Sequence, residues 1–112
     1  ELPRHLAEVS RGLAGLLGAR PQDIAPVPSA AAGMHAVLRS WQRHFKPGPG
    51  QRVLVPAAAR GSTRRLLRKM SEESGFQVDQ VSFDLPVEGE EALLDALGPA
   101  LQPATALVVL DA

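Results

Sequence analysis

The stretch Gln51-Arg52-Val53-Leu54-Val55-Pro56-Ala57-Ala58-Ala59-Arg60-Gly61-Ser62-Thr63 decides how this chain must fold. Arg52-Val53-Leu54-Val55-Pro56, with Val53 to Val55 running without a polar interruption, reads as a short buried strand. Upstream, Lys46-Pro47-Gly48-Pro49-Gly50 stops whatever precedes the strand. Downstream, a small-residue loop leads to Gly61 or Ser62, either of which can cap a helix that buries Leu66, Leu67 and Met70 and ends at Gly75. Phe76 to Phe83 reads as a second strand and Thr105 to Leu110 as a third. Between them, Glu88 to Leu101 reads as a helix with Glu88, Glu90 and Glu91 in its first turn, where carboxylates complement the dipole, and Leu93, Leu94, Leu97 and Leu101 on one face. Strands alternating with helices imply an α/β fold with a parallel sheet and right-handed crossovers.

Toward the N-terminus, Leu6, Val9, Leu13, Leu16 and Leu17 follow helical spacing as one apolar stripe, and Gly18 stands where a left-handed cap belongs. Pro21, Pro26 and Pro28 then break regular structure around Ile24 and Val27, leaving room for one short extended segment. Ser29 precedes Ala30-Ala31-Ala32, and Met34, Val37, Leu38, Trp41 and Phe45 recur with helical period, so a helix N-capped by Ser29 is expected. Trp41 sits on the apolar face and belongs to the core. There is no internal repeat.

The 112 residues, 45% hydrophobic and 21% charged, have the make-up of one ordinary soluble domain. Twelve basic residues balance twelve acidic ones, so no broad field steers the chain to nucleic acid or an anionic membrane. The absence of cysteine excludes disulfides, thiolate metal sites and a cysteine nucleophile within the chain and fits a cytoplasmic location. No apolar run approaches the roughly eighteen residues of a membrane span. His5, His35 and His44 lack ligand spacing, since His35 and His44 fall on opposite faces of one helix, and no metal site is expected. The chain lacks an initiator methionine and closes on a strand-like run with nothing after it. It is therefore expected to be an excerpt, with residues 1–112 forming part of a larger domain.

Several of these pieces, taken in order, resemble the class V aminotransferase group of pyridoxal-phosphate (PLP) enzymes, which includes cysteine desulfurases, selenocysteine lyases and C–S lyases. The pieces are Leu16-Leu17-Gly18-Ala19, Pro21-Gln22-Asp23-Ile24, Val27-Pro28-Ser29-Ala30-Ala31-Ala32, Lys46-Pro47-Gly48 before Val53-Leu54-Val55, Gly75 before a strand and Asp84, and Thr105 with Leu107-Val108. The likeness spans almost the whole chain, and order and spacing carry it. It implies a fragment of a three-layer, fold type I PLP-dependent large domain with a mainly parallel sheet. In that group the segment matching Ser29 to Ala32 is the phosphate turn, so Ser29, Ala30, Ala31 and Ala32 become cofactor-binding candidates beside the plain reading of Ser29 as an N-cap. The group's threonine falls on Ala32, which has no hydroxyl to donate.

Where many members place a histidine on the cofactor ring, this chain has Arg60. A guanidinium can lie on an aromatic ring or pair with a carboxylate or phosphate, and a solvated loop charge stands as an equal alternative. Lys46 and Lys69 are the only lysines, and neither matches the cofactor lysine, which comes far downstream in the group. No catalytic residue is assigned, and the isolated chain is expected to be inactive. Asp111 lies slightly before the position of the acid that pairs with the ring nitrogen.

The resemblance implies the PLP cofactor, a small amino-acid or thioether substrate, C–S cleavage and a homodimer. It extends to cysteine-lyase domains of polyketide synthases, which adds a carrier-protein partner. Aminotransferase and epimerase activities belong to the same group. The departures at Ala32 and Arg60 keep open a non-catalytic α/β interaction domain. The cluster Arg64, Arg65, Arg68 and Lys69 reads first as a solvated helix face, with a phosphopantetheine, carrier-domain or nucleic-acid contact as the sharper alternative.

Overall fold

A computed structural model describes residues 2–82 and 89–110 of the chain. They form the helices α1 (Leu2–Leu17), α2 (Ala30–Phe45), α3 (Gly61–Ser74) and α4 (Gly89–Leu97), and the strands β1 (Arg52–Pro56), β2 (Gln77–Val81) and β3 (Thr105–Val108). Single 3₁₀ turns lie at Pro21–Asp23 and Gly98–Ala100. Two compact units, Glu1–Gly33 and Met34–Ala112, divide the chain.

In the larger unit the strands form one sheet in the order β2-β1-β3, and β1 is parallel to both neighbours. Val53, Leu54 and Val55 are fully buried, as a continuous apolar run at the middle of a sheet requires. The pairing sets Val53 opposite Val78 and Val55 opposite Gln80 on one side, and Val53 opposite Leu107 on the other. A register shift leaves Ala106 without a partner on β1. Leu38, Val53, Val55, Ala59, Leu67, Met70, Phe76 and Val109 form the core, with Met34, Trp41, Leu66, Val78 and Leu107 packed against it. Trp41 stacks on Phe45 and meets Phe76 edge-on, with ring centroids 5.8 Å apart. Polar contacts add to the apolar ones between α2 and α3, because Arg39 pairs with Glu73 and Gln42 donates to Ser74 Oγ at 2.9 Å.

Gly75 ends α3 in the left-handed region (φ 89°), and its N–H donates to Ser71 O. A Cβ there would come within 2.9 Å of the Pro49 ring, so the proline-glycine turn before β1 closes against the end of α3 only because residue 75 is glycine. Lys46 plays the corresponding part after α2, at φ 54°, without that freedom.

In the smaller unit Gly18 caps α1 at φ 70°, and Ala19 N donates to Ala14 O. Here the packing departs from the expected stripe. Among the described side chains of α1, Ser10 and Ala14 are the buried ones, and Ser10 Oγ donates to Ile24 O at 3.3 Å. Leu6, Val9, Leu13, Leu16 and Leu17 are all exposed, Leu16 by 81%. The small side chains, not the leucines, lie where the chain folds back.

Several element ends also differ from expectation. α3 starts at Gly61 with Arg60 as its N-cap, so neither Gly61 nor Ser62 caps it. β2 stops at Val81 and β3 at Val108, although Val109 N still donates to Leu54 O at 2.8 Å. The fourth helix ends at Leu97 and tightens into a 3₁₀ turn, with Leu93 and Leu97 half-buried and Leu94 and Leu101 exposed. Phe83, Asp84, Glu88 and Asp111, which carried expectations above, lie outside the described residues. Among the described residues no helix is long and apolar enough to cross a membrane.

Candidate functional site

Ser29, Ala30, Ala31 and Ala32 occupy one turn at the start of α2. Ser29 Oγ accepts the Ala32 N–H at 3.1 Å, and Ser29 O accepts the Gly33 N–H at 3.1 Å, so Ser29 is the N-cap that the sequence implied. The amides of Ala30 and Ala31 are first-turn donors with no intrahelical acceptor. All four residues are exposed, and the alanine side chains leave the backbone open to approach. Val27, itself exposed, lies against the first turn of α2, since its Cγ2 would be 3.2 Å from a Cβ placed on Gly33. Such a turn can hold an anion through backbone donors and the positive helix end. The serine hydroxyl already serves the helix through its oxygen.

Arg60 belongs to the other unit. It follows the turn that closes β1, in which Ala59 N donates to Pro56 O at 3.1 Å, and it stands past the C-terminal end of a parallel strand. That is the end at which α/β sheets place ligands. Arg60 is exposed, in an extended conformation (φ −56°, ψ 144°), and its side chain makes no capping hydrogen bond. Its carbonyl accepts the Arg64 N–H at 3.1 Å, opening α3.

Sequence reading missed one ionic feature. Arg52 grips Asp79 across β1 and β2 through Nε–Oδ2 at 2.7 Å and Nη2–Oδ1 at 2.6 Å. The hydrogen bonds from Arg52 hold the Asp79 carboxyl below the usual carboxylate range, against a smaller opposing effect of burial. Arg52 opens β1, at the end away from the Arg60 turn, and Asp79 is the middle residue of β2, so the pair ties the two strands in register. Only the pairing of Leu54 with Asp79 reveals that the two charges share a face.

Lys46 and Lys69 are both exposed, one in the turn after α2 and the other on α3. His35 and His44 are exposed on α2, and among the described residues no group of three or more histidine, aspartate or glutamate side chains gathers into a metal-binding cluster.

No protein-family model and no curated protein matches the sequence. A solved structure does match in shape. It is a lysine-to-alanine mutant of C-DES with glycine covalently linked to its PLP cofactor, and it superposes with a TM-score of 0.79 over 96% of this chain at 18% identity. The chain spans 27% of that structure's length. The shared feature is the fold: an α/β arrangement with a small parallel sheet.

Proposed function

We propose that this chain is the N-terminal part of the large domain of a PLP-dependent lyase that cleaves a C–S bond of a cysteine-like amino acid or conjugate. One observation carries the reading: nearly the whole chain, with its β2-β1-β3 parallel sheet, follows the backbone of a PLP-linked enzyme. The order of sequence motifs from Leu16 to Val108 supports the same assignment independently.

The residues present fit the cofactor. PLP, when bound, supplies an electron sink for the bonds around the substrate's α-carbon. Ala30 and Ala31 would hold its phosphate through their N–H groups, with Ser29 fixing the turn and Ala32 contributing no side-chain donor. Arg60 would offer a guanidinium to the ring face or to a substrate carboxylate, and it lacks the proton-transfer ability of a histidine. The remainder of the domain would bring the cofactor lysine. A homodimer, a cytoplasmic location and, for a polyketide-synthase context, a carrier-protein partner complete the proposal, with aminotransferase or epimerase chemistry as variants on the same cofactor. Ala32 and Arg60 favour the rival reading, a non-catalytic interaction domain that has lost its site.

Ala30→Pro tests the phosphate turn, because proline suits the first helical position while removing one of the two proposed donors. In the polypeptide carrying the complete domain, PLP affinity measured by visible absorption should fall roughly tenfold with the melting temperature unchanged, as loss of one charge-assisted hydrogen bond requires. Unchanged affinity would count against the turn. A wild-type protein that takes up no PLP would leave the interaction-domain reading.

A further inference from the structure

A cleft of about 440 Å³ lies between α3 and β2. Val55 and Val78 contribute its apolar lining, and Arg64, Arg68, Ser71, Gln77 and Gln80 its polar lining. Arg64 and Arg68 stand one helical turn apart and so present their charges on the same side of α3. Arg64 Nε donates to Ala59 O at 3.1 Å, which orients its guanidinium. Among the described residues no carboxylate pairs with either arginine, and none lines the cleft. Ser71 is committed, since its hydroxyl donates to Phe76 O. Gln80, exposed on β2 and on the same sheet face as Val55 and Val78, brings an amide donor from the other wall, whereas Gln77 borders the cleft but alternates to the opposite sheet face with Arg52.

The charge is also placed against the helix's own preference. α3 has no acidic residue in its first turn, while Arg64 and Arg65 stand near its positive end, where cations are unfavourable. A bound anion would offset that cost. The volume falls within the range of roughly 300–1,000 Å³ typical of small-molecule sites. Two guanidiniums about 6 Å apart at their Cβ atoms suit two linked phosphate groups better than a single carboxylate.

We propose that this cleft binds the diphosphate group of a small molecule, with Arg64 and Arg68 as the charged ligands and Gln80 as a neutral donor. The site does not rest on the PLP reading, because it uses neither the Ser29 turn nor Arg60.

Calorimetric titration of the chain with inorganic pyrophosphate tests it. Saturable binding at one site is expected, weakened roughly tenfold by Arg64→Gln or Arg68→Gln and lost in the double variant, as removal of charged hydrogen bonds requires. Arg11→Gln, on α1, should leave binding unchanged, and melting curves should show all variants folded. Citrate, a polyanion of carboxylates, should bind at least about tenfold more weakly if paired phosphates are what the arginine fork selects. Absence of saturable binding overturns the proposal. So does an equal loss in Arg11→Gln, which would mean diffuse charge, or citrate binding as tightly as pyrophosphate.

Discussion

The segment from β1 to β2 and helix α1 are both read from apolar periodicity, yet they use it in opposite ways. Between Arg52 and Val81 large apolar residues supply the buried positions of the core: Val53, Leu54, Val55, Leu67, Met70 and Phe76 are all within 1% of complete burial. In α1 the apolar positions Leu6, Val9, Leu13, Leu16 and Leu17 are exposed, and Ser10 and Ala14 are buried. Periodicity thus specifies that a helix forms, while size specifies which face packs closely. A small-residue face lets the chain return near the helix, as the Ser10 hydrogen bond to Ile24 shows. The difference bears on function, because a well-packed sheet holds its strand ends rigidly, and Arg60 lies just past the end of β1.

The largest effect that would sharpen this contrast is at Phe76. Phe76→Ala removes a 1% exposed ring that meets Trp41 edge-on, and chemical denaturation should show a loss of about 3–5 kcal/mol. A loss under about 1 kcal/mol would mean that the sheet side is packed no better than α1.

Next comes Ser29→Ala, which should cost about 1 kcal/mol through the Ala32 N–H alone. No measurable cost would show that water replaces the cap, and the proposed role of this turn in holding a phosphate would lose its support.

The Arg52–Asp79 pair adds a pH-dependent effect. The folded carboxyl titrates below its unfolded value of about 3.9, so its stabilisation is complete above that pH and is lost as pH falls through the lowered folded range. Urea midpoints of wild type and Asp79→Asn should therefore differ at neutral pH and converge in acid. A gap that persists with Asp79 protonated would assign the effect to packing.

Smallest of all, Leu16→Lys should change stability by no more than about 0.5 kcal/mol, since Leu16 is 81% exposed and both residues are good helix formers. A loss several times larger in thermal melts would show the stripe to be covered, and the two regions would then differ less than described.

How much of this was legible depends on which interactions decide each feature. β1 was readable because its short, largely β-branched apolar run is closed in by the Pro47-Gly48-Pro49-Gly50 turn and Pro56, which leaves no room for a helix. Gly18 and Gly75 were readable as caps because their left-handed conformations favour glycine. The start of α3 was misplaced because Ser62 has the better capping propensity, while the turn closing β1 delivers an extended residue at Arg60 two positions earlier. The ends of β2 and β3 were overextended because apolar residues continue past the last paired position, and pairing partners are invisible in a single sequence. In the candidate site, Ser29 was legible from a local rule, whereas the meeting of Arg64 and Arg68 with Gln80 depends on how α3 crosses back over the sheet.

The central claim is that this chain contributes cofactor contacts but not the covalent attachment point. Mixing PLP with the 112-residue chain and with the polypeptide carrying the complete domain, reducing each with borohydride and mapping the labelled peptide tests it directly. The expected result is no site-specific label on the 112-residue chain and one labelled lysine in the complete domain, outside Lys46 and Lys69. Stoichiometric labelling of Lys46 or Lys69 in the complete domain would contradict the alignment on which the account rests.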